Sequence, residues 1–363
     1  MQKLRFINNN KEHHLFITSL RKRVRSYFDE TGQSSKGNSS LYIKALILVA
    51  MYIVPFALLM FFPFHFLIAF SLCVIMGIGL AGVGMSVMHD GAHGVFSQNK
   101  FLNKVAASTG YLLGSNTINW KVQHNVLHHT YTNIHEMDPD IETKAVIRLN
   151  ENAPLKKYQK FQHIYALALY SLMTLSKIVK DFSQLINYSK SGYVKMLKAN
   201  PSREMLKLVL SKSMYVALFL IVPIVFSPFL WWQVLLGFLL VHITAGMILS
   251  LIFQMAHVVE GTEQPNPNGS DILNVEWAVH EIMTTANFAP HNRILNWYIG
   301  GLNFQIEHHL FPNISHIHYK NIAPIVARTV REFGLHYNVK PSFRNALVSH
   351  IKRLKQLGNP VIA

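Results

Sequence analysis

Four long apolar stretches constrain the fold of this chain more than any other feature. They cover residues 42–61, 66–88, 209–229 and 230–255, and each is close to the ~20 residues that a helix needs to cross about 30 Å of hydrocarbon. Of all residues, 50% are hydrophobic and only 14% are charged, against roughly one quarter charged in a soluble globular domain. The sequence therefore predicts an integral membrane protein.

Proline-containing breaks divide these stretches into two hairpins. Pro63 lies in the break of the first pair and Pro228 in the break of the second, so both turns are very short. We predict an all-α integral membrane fold, with four transmembrane helices in two hairpins and a helical cytosolic cap. The predicted parts are a cytosolic N-terminal segment at 1–41, a main domain at 42–320 with hairpins at about 42–88 and 209–255, and a cytosolic C-terminal segment at 321–363.

The distribution of basic residues predicts the orientation in the membrane. Residues 1–41 contain 8 Lys and Arg, the segment between the hairpins contains 15, and 9 follow Met255, whereas neither hairpin tip has any. Under the positive-inside rule, both termini and the central segment are cytosolic. An apolar run at 164–175 has 12 residues, which suits an interfacial or re-entrant helix better than a span. If this run did cross the membrane, the histidines before it in the sequence and those after it would lie on opposite sides of the membrane.

Charge and cysteine content exclude several classes of function. The net charge of +16 is explained by topology and by attraction to anionic lipid. Because no basic groove interleaved with aromatic residues appears, we do not expect nucleic acid as a partner. The single cysteine, Cys73, excludes an iron–sulfur cluster with cysteine ligands, a structural cysteine–zinc site and an internal disulfide.

Histidine clusters carry the chemistry of this sequence. The three clusters are His89-Asp-Gly-Ala-His93, His124-Asn-Val-Leu-His128-His129 and Gln305-Ile-Glu-His308-His309. Residues four apart share a helix face, so the pairs 89/93 and 124/128 can each bind one metal ion, whereas adjacent histidines diverge by about 100° toward two ions. His257 follows the last apolar stretch on the same predicted side, which makes eight imidazoles.

The number of candidate ligands favours iron over zinc. Two catalytic zinc ions would use about three protein ligands each, fewer than the eight imidazoles present. Eight ligands, or nine with Gln305, suit two ions of higher coordination number, and iron accepts imidazole and performs oxygen chemistry. Four acids near the clusters could orient the ligands by accepting the second ring N–H of a histidine: Asp90, Asp138, Asp140 and Glu307. For Asp138 and Asp140, a role in capping a turn is an equally good explanation.

The remaining histidines are predicted to be structural. Eight histidines without a cluster partner are interpreted as surface or packing residues: His13, His14, His65, His135, His163, His291, His336 and His350. Replacing one of them, such as His350, should therefore leave activity unchanged. His280, His316 and His318 could pack or orient ligands. His242 lies inside the fourth apolar stretch, about 22 Å of helix from His257, which is too far to share its metal, although polar groups inside membranes often have functions.

The three clusters resemble the histidine boxes of the integral-membrane fatty acid desaturases. The boxes of that family have the forms H-x(3–4)-H, H-x(2–3)-H-H and (H/Q)-x-x-H-H, in this order, and all three match here over about residues 42–320. Gln305 as the first residue of the third box resembles the front-end, linoleoyl or delta-6-like branch, which desaturates between an existing double bond and the carboxyl end. Three further segments support that branch: His129-Thr-Tyr-Thr-Asn133, Asp138-Pro-Asp140 and His309-Leu-Phe-Pro312.

This resemblance implies two iron ions that activate O2 and remove two hydrogens from a long-chain acyl lipid or acyl-CoA. It implies these iron ligands: His89, His93, His124, His128, His129, His257, His308, His309 and Gln305. Gln305 would bind directly or through a water molecule, and no catalytic residue beyond the ligands is implied. Many relatives carry a fused cytochrome b5 domain with a His-Pro-Gly-Gly haem motif, which this sequence lacks. A separate ferredoxin or cytochrome b5 is therefore the expected electron donor, and a bacterial inner membrane the expected location.

Two alternative functions stay open. A di-iron hydroxylase or ketolase on the same scaffold would add oxygen to a lipid or carotenoid instead of removing two hydrogens. A non-redox protein, such as a zinc-dependent membrane hydrolase or a metal transporter, would not bind iron as its working metal. A transporter would also place ligands at the middle of the membrane, whereas these clusters lie at the predicted helix ends.

Overall fold

The computed structural model describes residues 4–7, 10–143 and 146–359, and helices dominate it. Within these residues, four helices are long and apolar enough to cross a membrane, as the sequence predicts: Ser39–Phe61, Phe66–His93, Pro201–Phe226 and Trp231–His257. The third starts earlier than predicted because Asn200 caps its first turn by accepting from the backbone N–H of Arg203 and Pro201 occupies the first helical position.

The described chain divides into two compact units. The first, here called the membrane unit, comprises residues 38–122 and 167–251. Besides the spans, it contains shorter helices: Lys100–Ser108, Thr109–Leu113, Thr117–Trp120, Met173–Lys190 and Tyr193–Met196. Large apolar side chains on the spans face outward, among them Leu46 and Phe226, which are 72% and 73% exposed. Such exposure is unfavourable in water and is expected for helices surrounded by lipid.

The apolar run at 164–175 does not form a continuous span. One helix, Gln162–Tyr170, ends inside it, and the next, Met173–Lys190, begins near its end. The break lies where Ser171 approaches Gly246, at which an added Cβ would be 2.4 Å from the Ser171 carbonyl oxygen. Among the residues that the structure describes, this run is not one of the four candidate spans.

The second unit, here called the polar unit, comprises the described residues of 1–37, 123–166 and 252–363. Its helices are Lys11–Thr31, Lys121–His128 in part, His129–Tyr131, Lys157–Phe161, Trp277–Thr284, Arg293–Tyr298, Gln305–Leu310, His316–His318, Tyr319–Glu332 and Phe343–Gly358. Two short parallel strand pairs join distant segments: Arg5–Phe6 with Ile272–Leu273, and Asn287–Phe288 with Val339–Lys340.

One hydrophobic core supports the third histidine box. Phe16 and Leu20 of the helix Lys11–Thr31 are fully buried in a cluster with Ile306, which flanks the histidines, and with Val326. Burying an aromatic or leucine side chain contributes roughly 1.5–3 kcal/mol. The N-terminal helix therefore stabilises the position of the box.

The C-terminal helix Phe343–Gly358 fixes the segment that follows His257. His350 is completely buried, and its Nδ1 lies 2.7 Å from the carbonyl oxygen of Val258. Next to it, Ser349 Oγ accepts from the backbone N–H of Glu260 at 2.9 Å. Of the two roles that the sequence left open for His350, packing is therefore the one observed.

We expect His350→Ala to destabilise the protein, contrary to the sequence-based expectation of no effect. The variant leaves a buried carbonyl without its donor and a cavity in place of the ring, at a cost of roughly 2–4 kcal/mol. Its thermal unfolding midpoint in detergent should fall clearly below that of His336→Ala, because His336 is exposed. Equal midpoints would show that the buried contact contributes nothing.

Candidate metal centre

Three imidazole rings of the polar unit form a compact buried group. His128 and His257 are the last residues of a π-helix and of the fourth membrane-length helix, and His309 lies in Gln305–Leu310. Their ring centroids are 4.7 to 4.9 Å apart. One nitrogen from each ring lies within 4.8 Å of the others, a spacing compatible with a shared metal ion. We call these three residues the buried trio.

The ring nitrogens of the buried trio test whether a metal ion fits. Among the described residues, no hydrogen-bond partner reaches the buried Nε2 atoms of His128, His257 and His309. Each unsatisfied buried polar atom costs roughly 1–3 kcal/mol, so three such nitrogens in one group call for an explanation, and a bound ion would supply it. Burial and the neighbouring imidazoles hold the pKa of His309 well below its usual value, and only the neutral ring binds metal. The residues therefore fit a metal ion.

Carboxylates contact the opposite nitrogens of two trio rings. His128 Nδ1 lies 3.0 Å from both oxygens of Asp138, and His309 Nδ1 lies 2.6 Å from Oε2 of Glu281. Metal-bound histidines usually donate their second ring N–H to such a partner, which fixes the tautomer and the ring orientation. Burial raises the pKa of the Glu281 carboxyl well above its usual value. Its ionised form therefore depends on positive charge nearby.

A second candidate group shares His309 with the trio. Nitrogens of His129, His308 and His309 also lie within 4.8 Å of one another, and the His129 centroid is 4.5 Å from that of His308 and 4.4 Å from that of His309. His308 Nδ1 lies 3.1 Å from the hydroxyl of Tyr319. His309 therefore belongs to both groups, whereas His308 belongs only to the second of these two.

His124 lies closer to His129 than α-helical geometry would place it. In an α-helix, His124 and His128 would share a face and His129 would point about 100° away from it. The structure instead has a π-helix over Lys121–His128, in which hydrogen bonds join residues five apart. The Nε2 atoms of His124 and His129 are consequently 3.3 Å apart. The wider turn rotates His129 toward His124, and His128 and His129 still belong to different candidate groups.

His89 and His93 form a pair within the membrane unit. They lie in the last turn of Phe66–His93, and their ring centroids are 4.7 Å apart, as the spacing of four residues predicts. Trp120 packs edge-on against both rings, at centroid distances of 5.5 and 5.7 Å. The two histidines therefore lie on one helix face, in contact with the ring of Trp120.

The predicted orienting acids differ in what they contact. Asp138 contacts His128 as described, and Asp140 lies 3.5 Å from His124 Nδ1. Asp90 lies 3.8 Å from His89 Nδ1, which is longer than a hydrogen bond. Within the described part of the chain, the Glu307 carboxylate accepts hydrogen bonds from Asn287 and Tyr337 and not from an imidazole.

Sequence reasoning missed Glu281, the carboxylate on His309. It lies in the helix Trp277–Thr284, 28 residues before its partner, and no local spacing connects the two. The available signal was an acid in an otherwise largely apolar helix, because buried carboxylates are rare unless paired. Thr132 was missed as well; its hydroxyl lies 2.8 Å from Glu281 Oε2 and 2.7 Å from the carbonyl oxygen of His128.

Other candidate residues occupy buried positions around these groups. Gln305 is 1% exposed, and its Oε1 has no hydrogen-bond partner within the described part of the chain. His280 packs on Phe6, with ring centroids 5.1 Å apart, and burial lowers its pKa to about 3. His242 bonds to Tyr215 and Thr174 inside the membrane unit, at 2.8 and 3.0 Å. These contacts hold the His280 ring against Phe6 and the His242 ring inside the membrane unit.

Comparison with known proteins identifies the kind of chain that carries these histidines. The family model described as fatty acid desaturase matches residues 65–341, which include all eight histidines and Gln305. An sn-1 linoleoyl-lipid 6-desaturase from Arthrospira platensis is 33% identical over 95% of this chain and 93% of its own length. A Synechocystis protein with the same description is 35% identical over 94% of this chain and 95% of its own.

A more distant relative has the same chemistry in its description. An acyl-lipid (8-3)-desaturase from Physcomitrium patens is 32% identical over 94% of this chain and 72% of its own length. The family match and the near full-length relatives agree with the histidine groups and the four membrane-length helices. This chain belongs to the fatty acid desaturase family.

Proposed function

We propose that this chain is a front-end acyl-lipid desaturase, an oxidoreductase that uses O2 and two iron ions to introduce a double bond into a long-chain acyl group. The observation that carries the proposal is the buried trio of His128, His257 and His309, whose Nε2 atoms have no hydrogen-bond partner among the described residues. Neutral imidazoles in a dry site suit a redox metal. The family supplies the reaction type.

The proposed ligand set extends beyond the trio by the matching positions of the histidine boxes. The eight histidines are proposed as iron ligands, and Gln305 as a direct or water-mediated one: His89, His93, His124, His128, His129, His257, His308, His309 and Gln305. Support for Gln305 comes from its burial one turn before His308. The boundaries of the desaturase domain are proposed at 42–320.

The protein's contribution is to position the metals and to exclude water. An unactivated methylene offers no acidic proton and no leaving group, so the iron ions supply the oxidising chemistry when bound. The imidazoles hold them without adding charge, and Asp138 and Glu281 fix the orientation of two rings. Burial of the ligands keeps water from the site, which limits side reactions of activated oxygen.

The reaction needs an external source of electrons. Removal of two hydrogens from the acyl chain, with reduction of O2 to two waters, consumes two further electrons and two protons. We propose a separate ferredoxin or cytochrome b5 as the donor, which the net positive charge of the chain would attract. Both termini and the metal centre are proposed to lie on the cytosolic side of a bacterial inner membrane.

The substrate class follows from the relatives. The Arthrospira and Synechocystis proteins are described as acting on linoleoyl lipids at the sn-1 position, so we propose a glycerolipid-bound acyl chain that is already unsaturated. Linoleate is the first substrate to test. An iron hydroxylase or ketolase remains the alternative on the same scaffold.

We expect yeast that express this chain and are fed linoleate to accumulate a fatty acid with one additional double bond. Gas chromatography with mass spectrometry of position-marking derivatives should show a loss of two hydrogens and a new bond on the carboxyl side of the existing ones. A product heavier by one oxygen would favour the hydroxylase. No product at all, from a host that supplies a compatible electron donor, would contradict both.

A further inference from the structure

We infer that Glu281 is a positioning residue that sets the affinity of the buried trio for its metal ion and the reduction potential of that ion. We infer further that Thr132 holds Glu281 in place. This inference rests on the proposed function, because it concerns the metal that the trio binds. Neither residue belongs to a histidine box. Both lie in the polar unit, and both are completely buried.

The contacts of Glu281 converge on one oxygen atom. Its Oε2 lies 2.6 Å from His309 Nδ1 and 2.8 Å from the hydroxyl of Thr132. That hydroxyl is also 2.7 Å from the carbonyl oxygen of His128 and 3.3 Å from His309 Nδ1. Glu281 and Thr132 therefore connect the ligand of the third box to the backbone of the second.

The position of Glu281 determines which nitrogen of His309 can face a metal. A carboxylate at Nδ1 favours the tautomer with its proton there, which leaves Nε2 as the ligand atom. Nε2 is the atom that is buried and has no hydrogen-bond partner among the described residues. Asp138 does the same for His128, with two contacts of 3.0 Å.

Charge gives Glu281 a second effect. Imidazole ligands are neutral, so the positive charge of a bound metal is not offset by its own ligands. Inside a buried site, the attraction between a carboxylate and this charge is much stronger than in water. An anion one ring away stabilises the more oxidised metal and so lowers the reduction potential. Loss of that anion should raise the potential and weaken metal binding.

Glu307 provides a matched control. It is also completely buried and precedes a proposed ligand, His308. Its carboxylate accepts from Tyr337 at 2.6 Å and from Asn287 at 2.7 Å rather than from an imidazole. Comparing Glu281→Gln with Glu307→Gln therefore separates the loss of a ligand-orienting carboxylate from the loss of any buried acid.

The experiment compares Glu281→Gln, Glu281→Leu, Thr132→Val and Glu307→Gln as full-length, iron-loaded proteins in detergent. Iron retained against increasing concentrations of a chelator, and the reduction potential from an optical titration, are measured for each. We expect Glu281→Gln to lose iron at roughly 10-fold lower chelator concentration, within the 10–100-fold range of ligand-orienting residues, and its potential to rise. Glu281→Leu should lose more because it removes the acceptor as well as the charge. Thr132→Val should shift both quantities in the same direction by less.

Three results would overturn the inference. The first is that both Glu281 variants keep the iron retention and the reduction potential of the wild type. The second is that Thr132→Val leaves both quantities unchanged. The third is that Glu307→Gln shifts them as much as Glu281→Gln does. If the Glu281 variants do not fold, as judged by helicity and thermal unfolding, Asp138→Asn decides the role of the carboxylates by the same two measurements. A wild-type protein that binds no iron would refute the proposed function itself, whereas an iron-loaded, active wild type with unaltered variants refutes only the role of Glu281.

Discussion

Replacing His309 with alanine is expected to abolish double-bond formation while leaving the protein in the membrane. His309 is the only residue shared by the buried trio and the second candidate group, so its loss removes a nitrogen from both. Residues that merely orient ligands are worth 10–100-fold, so the loss of a shared ligand should reduce activity by at least about 100-fold. Product formation from linoleate and the iron content of the purified variant are the measurements.

The control for this variant is His291→Ala. His291 is exposed and belongs to no candidate metal group among the described residues, so product and iron content should match the wild type. If His309→Ala retains substantial activity, or if His291→Ala loses as much, the assignment of the trio as a metal site is wrong.

Gly91→Ala is expected to have the second largest effect, through packing. Gly91 lies between His89 and His93 in the first box, where an added Cβ would be 2.4 Å from the backbone nitrogen of Ala107 and 2.7 Å from Ala106. These atoms belong to another helix backbone and cannot rotate away. Overpacking costs roughly 1–3 kcal/mol and shifts the backbone. The shift should displace both histidines, lower the iron content and reduce activity by about 100-fold.

Gly94→Ala is the matched control for Gly91→Ala. Gly94 has φ of +72° but nothing within 4 Å of an added Cβ, so its substitution costs about 1 kcal/mol of backbone strain without moving the histidines. We expect a slightly lower unfolding midpoint and nearly full activity. Comparable activity in the two glycine variants would argue that the close approach at Gly91 does not position the first box.

Features set by local composition could be predicted from the sequence. The four spans were predictable because hydrocarbon thickness fixes their length and the residues themselves are apolar. The helix that carries His89 and His93 extends past the end of its apolar stretch, as the spacing of these two histidines predicts. It ends at Gly94, which adopts the left-handed conformation typical of helix ends.

Features set by contacts between distant segments could not be predicted. Glu281 contacts a ligand 28 residues away, and His350 contacts Val258 across 92 residues; neither pair has a local pattern. The π-helix that rotates His129 toward His124 is a rare form of helix that the spacing of the histidines does not signal. The residue types of the centre and the orienting acid Asp138 were therefore predictable, whereas Glu281 and Thr132 were not.

The metal content of the wild-type protein, purified in mild detergent from iron-replete cells, tests the central claim most directly. The proposed desaturase should contain about two iron ions per chain, as other di-iron oxygen enzymes do. Zinc in place of iron in catalytically active protein, or active protein with negligible iron, would contradict the account.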